Sequence, residues 1–328
     1  MKKNTFGVAL VAMLFALCFP VGAQQPMKVP RIGYLTATPL SAIADRTEAF
    51  RQGLRELGYV EGKNIVIEWK SAEGKVDRLP ALAAELARLR VDVIVTGGPT
   101  STRATKEATS TIPIVMAMDG DPVGNGFVAS LARPGGNITG LSTLAPELSG
   151  KRLELLKEIV PKLSRVAVLG TSTAPSTAPS LKEMEPAAGA FGVQLQYLDV
   201  LDPKDIEAAF RAAGKGRADA VLVLVTSPVL FSQRTQLSDL AVKSRLPAIF
   251  PDGRYVEDGG LLAYGVNIAD LDRRAATYVD KILKGRKPAD LPVEQPMKFE
   301  FSINLKAAKQ IGLTIPPNVL VRADRVIR

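Results

Sequence analysis

Histidine does not occur anywhere in the 328 residues. Its absence removes the commonest general base and the commonest transition-metal ligand, and without it no Ser-His-Asp triad can be assembled. No G-x-S-x-G elbow is present either, and no pair of Ser and Lys is singled out by spacing. Cysteine occurs once, at Cys18, and tryptophan once, at Trp69; aromatic residues make up 5% of the chain. A disulfide framework is therefore excluded. So is the interleaved basic and aromatic stripe that binds single-stranded nucleic acid, although the formal charge is +9. That charge reads as a solvated basic surface. A P-loop needs G-x-x-x-x-G-K-[ST], and a dinucleotide fold needs G-x-G-x-x-G after its first strand. Gly97-Gly98-Pro99-Thr100-Ser101-Thr102-Arg103 satisfies neither. Asp119 and Asp121 lack companion acids at ligand spacing, so they read as turn residues and ligand contacts rather than a metal site. No catalytic residue, metal or cofactor is expected.

What is present points to export and to a two-part α/β protein. Lys2 and Lys3 precede an apolar run from Phe6 to Phe19, and Val21-Gly22-Ala23 is a small-residue cleavage pattern. We expect a signal peptide over residues 1–23, cleaved after Ala23, and a periplasmic destination. Leu17 before Cys18 argues against lipidation. Loss of Lys2 and Lys3, with no acid in the same segment, takes the charge from +9 to +7 and leaves no cysteine.

From Arg31 onward apolar runs of strand length alternate with amphipathic helical stretches. Strands are expected at 31–35, 65–69, 91–95, 112–116 and 138–142, with helices around 49–57 and 79–89. A second cycle follows: helix 147–159, strand 165–169, helix 181–190, strand 193–198, helix 205–213, strand 220–225, helix 230–243 and strand 248–250. Strand 261–264, helix 270–283 and a proline-marked extended segment 292–303 complete the pattern. The βα rhythm implies parallel sheets with helices on both faces, and the length implies two lobes. No Gly/Ser linker separates them, so several short crossings should form a hinge.

The stretch Val91 to Ala108 carries the main binding expectation. A buried strand breaks at Gly97-Gly98 and a hydroxyl-rich segment opens a helix, which is the geometry of a helix N-terminus offered to an anion. Gly98, Pro99, Thr100 and Ser101 are candidate ligand contacts, against the plainer reading that Thr100 or Ser101 caps the helix. Small hydroxyl-bearing loops at comparable strand ends add Thr36 and Thr38, then Thr171, Ser172 and Thr173, then Ser227. Asp119, Thr143, Asp252 and Tyr264 complete the candidate set. A ligand carboxylate is expected at Thr100 and Ser101, received by backbone N–H groups without a buried cation.

A family resemblance rests on segments taken together and in order. These are Phe50-Arg51-Gln52-Gly53-Leu54-Arg55-Glu56-Leu57-Gly58-Tyr59-Val60-Glu61-Gly62, Thr111-Ile112-Pro113-Ile114-Val115, Gly120-Asp121-Pro122-Val123-Gly124 and Arg133-Pro134-Gly135-Gly136-Asn137-Ile138-Thr139-Gly140. Gly259-Gly260-Leu261-Leu262-Ala263-Tyr264-Gly265 and Ile311-Gly312-Leu313-Thr314-Ile315-Pro316-Pro317 follow. From about Arg31 to its end the chain resembles ABC-transporter substrate-binding proteins of the branch that includes tryptophan-binding members. The resemblance implies a type I periplasmic-binding-protein fold: two Rossmann-like α/β lobes with parallel sheets, a multi-strand hinge and a ligand trapped between the lobes. It implies a small ligand, an amino acid or other carboxylate-bearing compound, aromatic ones included, delivered to a membrane permease with a separate ATPase subunit. Residues 30–142 would form lobe 1, with 267–288 returning to it; 143–266 would form lobe 2, with 289–303; 304–328 would form a C-terminal helix and tail whose lobe is left open. A monomer with no nucleic-acid partner is expected. Three other functions compete: a ligand sensor of the same fold, an exported enzyme, and a two-lobed transcription regulator, which would need a DNA-reading helical pair where the signal-like segment stands.

Overall fold

The computed structural model describes residues 29–224 and 227–328. The signal-like segment, and Val225 and Thr226 at the end of one expected strand, lie outside the described residues. The first sheet has five strands, all parallel, in the order β2-β1-β3-β4-β5. They are β1 (Arg31–Thr36), β2 (Val66–Ser71), β3 (Val93–Thr96), β4 (Ile114–Asp119) and β5 (Ile138–Ser142). Helices α1 (Ala44–Glu56), α2 (Leu79–Arg88) and α3 (Pro99–Ala108) connect them. Every residue of β3, β4 and β5 is buried, as expected of parallel strands covered on both faces.

The second sheet has seven strands in the order β12-β11-β10-β9-β8-β6-β7. It contains β6 (Arg165–Gly170), β7 (Gln194–Asp199), β8 (Ala220–Val223), β9 (Ala248–Phe250), β10 (Leu262–Gly265), β11 (Glu300–Asn304) and β12 (Arg325–Ile327). Its helices are α4 (Ala145–Ile159), α5 (Thr177–Phe191), α6 (Asp205–Lys215), α7 (Pro228–Ser232), α8 (Arg234–Lys243) and α9 (Gly253–Glu257). β11 runs antiparallel to β10, the single reversal in an otherwise parallel pattern. The one helix expected over 230–243 is two, α7 and α8, broken at Gln233.

The chain passes between the sheets three times. After β10 it returns to the first sheet as α10 (Ile268–Leu283), whose N-terminus is capped by Asn267 Oδ1 accepting from the Asp270 N–H at 2.9 Å. Leu271, Ala275, Tyr278, Val279 and Ile282 of α10 join Ile32, Tyr34, Phe50, Val95 and Val115 in one core. Gly53 permits α1 and α10 to meet, because a Cβ there would stand 2.2 Å from the Arg273 carbonyl oxygen. Of the segment 289–303, Leu291 to Glu294 runs beside β5: Thr139 Oγ1 donates to the Leu291 carbonyl at 2.6 Å and the Glu294 N–H to the Gly140 carbonyl at 3.0 Å. Only β11 enters the second sheet. The C-terminal residues follow it there, with α11 (Leu305–Ile311) and α12 (Pro317–Leu320) closing over Val166, Leu222 and Ile303, and β12 pairing beside β11. Among the described residues no helix is long and apolar enough to cross a membrane.

Candidate functional site

The C-terminal ends of β1, β3 and β4 face the ends of β8 and β9 across a partly open cavity of about 60 Å³. Open α/β sheets bind ligands at this strand edge. The first lobe contributes Ala37, Thr38, Arg46, Gly97 to Thr100 and Met118; the second contributes Ser227, Pro228, Phe231, Pro251, Asp252, Arg254 and Tyr255. Ile268, the first residue of α10, touches the cavity from the crossing.

The turn from β3 into α3 is built as an open helix end. Gly98 is the N-cap, with φ 145° and ψ 168°, a region that non-glycine residues rarely occupy. Pro99 takes the first helical position, where its missing N–H costs nothing. The Thr102 N–H returns to the Gly98 carbonyl at 3.0 Å, so the amides of Thr100 and Ser101 are the ones left without an intrahelical acceptor. No side chain caps this helix. Capping by Thr100 or Ser101 is therefore overturned: glycine holds the cap position and both residues lie inside the first turn. Thr102 serves the local structure, its hydroxyl 2.8 Å from Thr96 Oγ1 and 3.1 Å from the Gly98 carbonyl. The Ser101 hydroxyl is buried with no partner.

Six of the fourteen expected site residues line the cavity: Thr38, Gly98, Pro99, Thr100, Ser227 and Asp252. Thr36 sits just behind them, its Oγ1 accepting from the Thr38 N–H at 3.2 Å. Asp119 ends β4 next to Met118. Its Oδ1 accepts from the Asp121 N–H at 3.0 Å and from Asn125 Nδ2 at 2.9 Å, while Oδ2 is buried and unpartnered. Burial pushes this carboxyl up to about 7, against those two hydrogen bonds. The Thr143 hydroxyl donates to the Asp119 carbonyl at 3.2 Å. The loop after β6 does not reach the cavity. Thr171 Oγ1 is spent on the Val200 carbonyl at 2.8 Å, Ser172 binds Asp199 through N–H and hydroxyl at 2.8 and 2.6 Å, and Thr173 is exposed. Tyr264 packs its ring on Phe299 and Phe301, away from the cavity lining.

The sequence reading missed the arginines. Contrary to the expectation of no buried cation, Arg46 lies in the cavity wall at 3% exposure, its Nε 2.7 Å from Asp272 Oδ2. Tyr34 donates its hydroxyl to Asp272 Oδ1 at 2.6 Å. Burial works against the Arg46 charge, and the Asp272 carboxylate together with Tyr34 and Asp252 more than offsets it. Arg254 grips Asp252 through Nε at 2.9 Å and Nη2 at 2.5 Å, lies 4.4 Å above the Phe231 ring, and reaches Asp45 in the other lobe through Nη1 at 3.2 Å. Phe231 and Tyr255 are edge-on at 6.2 Å, and Tyr255 stacks on Phe250 at 4.7 Å, so this wall is aromatic. Arg152 is also buried. Its Nε donates to the Tyr264 carbonyl at 2.7 Å, and burial lowers its guanidinium to about 9.

A tyrosine-binding protein of Clostridioides difficile (strain R20291) is 26% identical over 81% of this chain and 76% of its own length. A solved ABC domain in complex with L-Trp from Streptococcus pneumonia superposes with a TM-score of 0.84 at 26% identity, covering 91% of this chain and 99% of that one. The ligand-free, open structure of a substrate-binding protein with adhesive properties from Clostridium difficile covers the same shares at 25% identity but with a TM-score of 0.66. The family model for ABC transporter substrate binding proteins matches residues 40–327, and the chain belongs to that family.

Proposed function

We propose that this chain is an exported, monomeric solute-binding protein that encloses an amino acid between its lobes and hands it to a membrane permease driven by a separate ATPase. The observation that carries the reading is the cavity between the two strand edges, with the open end of α3 on one side and the aromatic wall of Phe231 and Tyr255 on the other. A carboxylate belongs at the amides of Thr100 and Ser101. The charge around the cavity favours a zwitterion over a bare anion. Arg46 and Arg254 are set against three carboxylates, Asp45, Asp252 and Asp272, so the ion pairs leave no positive surplus and the ligand's own ammonium is tolerated. The aromatic wall suits a flat side chain, in keeping with the ligands named for the two relatives. No step of this cycle is catalytic. The ligand binds the closed form better and thereby shifts the population toward it.

Calorimetric titration with each of the twenty amino acids tests the proposal. Saturable one-to-one binding of L-tyrosine, L-tryptophan or a close analogue is expected. Binding of sugars or dicarboxylates with no response to any amino acid contradicts it.

A further inference from the structure

Three guanidinium groups stand in or near the cavity wall, Arg46 and Arg152 buried and Arg254 half-buried, and they differ in what their nitrogens do. Arg254 is spent: Nε and Nη2 are held by Asp252 and Nη1 by Asp45. Arg152 has an unpartnered Nη1 but does not line the cavity. Arg46 lines the cavity and retains a buried Nη2 with no hydrogen-bond partner. That nitrogen lies 3.4 Å from where a Cβ on Gly97 would stand, which places it beside the loop that opens α3. A buried donor left unsatisfied costs on the order of 1–3 kcal/mol, more for a charged group, so a structure that keeps one in a cavity wall invites a matching acceptor. The unpartnered Ser101 hydroxyl in the first turn of α3 is a second such group.

Resting on the amino-acid reading above, we infer that Arg46 is the cationic anchor of the ligand carboxylate, completing with the Thr100 and Ser101 amides a site that Asp272 and Tyr34 hold in place. Asp272 takes Nε and so aims the remaining edge of the guanidinium at the cavity; Tyr34 fixes Asp272 in turn. These two are positioning residues, 226 and 238 positions away from the groups they hold in sequence, and neither lines the cavity. Because Asp272 sits on α10, the helix by which the chain returns from the second lobe, the anchor is set by the crossing itself.

The test pairs variants with ligand chemistry. L-tyrosine and L-tryptophan are titrated against their carboxamides, which keep the side chain and ammonium but lose the anionic group. Wild type should bind the free acids at least about tenfold more tightly than the amides, the worth of a charge-assisted hydrogen bond. Arg46→Lys keeps the charge beside Asp272 but loses the planar fork, and should shrink that ratio to a few-fold. Tyr34→Phe keeps its ring against Phe50 and Trp69 and should shrink the ratio partially; its apo melting temperature should fall by a few degrees, because the buried Asp272 carboxylate loses a donor, so the ratio is read on protein shown to be folded. Should Arg46→Lys fail to fold, the Tyr34→Phe ratio decides alone. An acid-to-amide ratio unchanged in the folded variants overturns the inference while leaving the amino-acid reading intact; absence of binding by any amino acid to wild type overturns both.

Discussion

Asp119 and Arg46 illustrate what single residues disclose in sequence and what they hide. Asp119 stands out beside a glycine at the end of an apolar run, and its place at a strand end was legible. Its burial was not, because that depends on Asn125, Thr143 and the β4–β5 pairing. With its folded value raised from 3.8 to about 7, the group contributes stability that is fully present below pH about 4 and is lost as pH rises through about 7. Urea unfolding from pH 4 to 8 should therefore show a steeper decline for wild type than for Asp119→Asn; parallel profiles would contradict the assignment. Arg46, in Ala44-Asp45-Arg46-Thr47, reads as an ordinary exposed helix residue. It is buried because Asp272, far along the chain, supplies the counter-charge, and no local pattern encodes that pairing. Ser101→Ala removes a buried hydroxyl that caps nothing, so apo stability should change by less than about 1 kcal/mol. Loss of a hydrogen bond to a ligand carboxylate should weaken binding about tenfold, read by calorimetry beside apo melting curves.

Among the elements, periodicity located almost every strand and helix, and the discrepancies have physical causes. Helix α3 was legible from its glycine pair and hydroxyls, but its cap was assigned to the hydroxyls when backbone freedom at Gly98 decides it. Alternation cannot tell the direction of a neighbouring strand, so the antiparallel β11 was invisible, as was the run of Leu291 to Glu294 beside β5. Gly98→Ala introduces no steric contact within 4 Å; its cost is conformational strain alone, about 1–3 kcal/mol. Relief of that strain rotates the first turn of α3. Ligand affinity should therefore fall by more than tenfold while the melting temperature drops only modestly, measured on the same preparation. Gly53→Ala should do the reverse, lowering the melting temperature strongly by prising α1 from α10 at the Arg273 carbonyl.

At the scale of the whole molecule, two sheets are joined by three crossings with a cavity between their strand edges, the arrangement that the proposed closure requires, and the order of strands in the sequence already implied two similar lobes. Among the described residues Asp45 and Arg254 form the one ion pair that reaches across the cleft from α1 to α9. Asp45 is half-exposed, so the pair is worth about 0–1 kcal/mol and is screened by salt. Stopped-flow dissociation of bound ligand should quicken by up to about fivefold in Asp45→Asn at low ionic strength, and the difference from wild type should vanish near 1 M salt, where the Debye length is about 3 Å. Capture between the lobes is tested most directly by small-angle scattering of one preparation, stripped of ligand by unfolding and refolding, before and after saturation with an amino acid whose binding calorimetry has established. A smaller radius of gyration on saturation is the expected result. An unchanged radius, with binding proven on the same sample, would place the ligand outside the cleft and contradict enclosure by lobe closure.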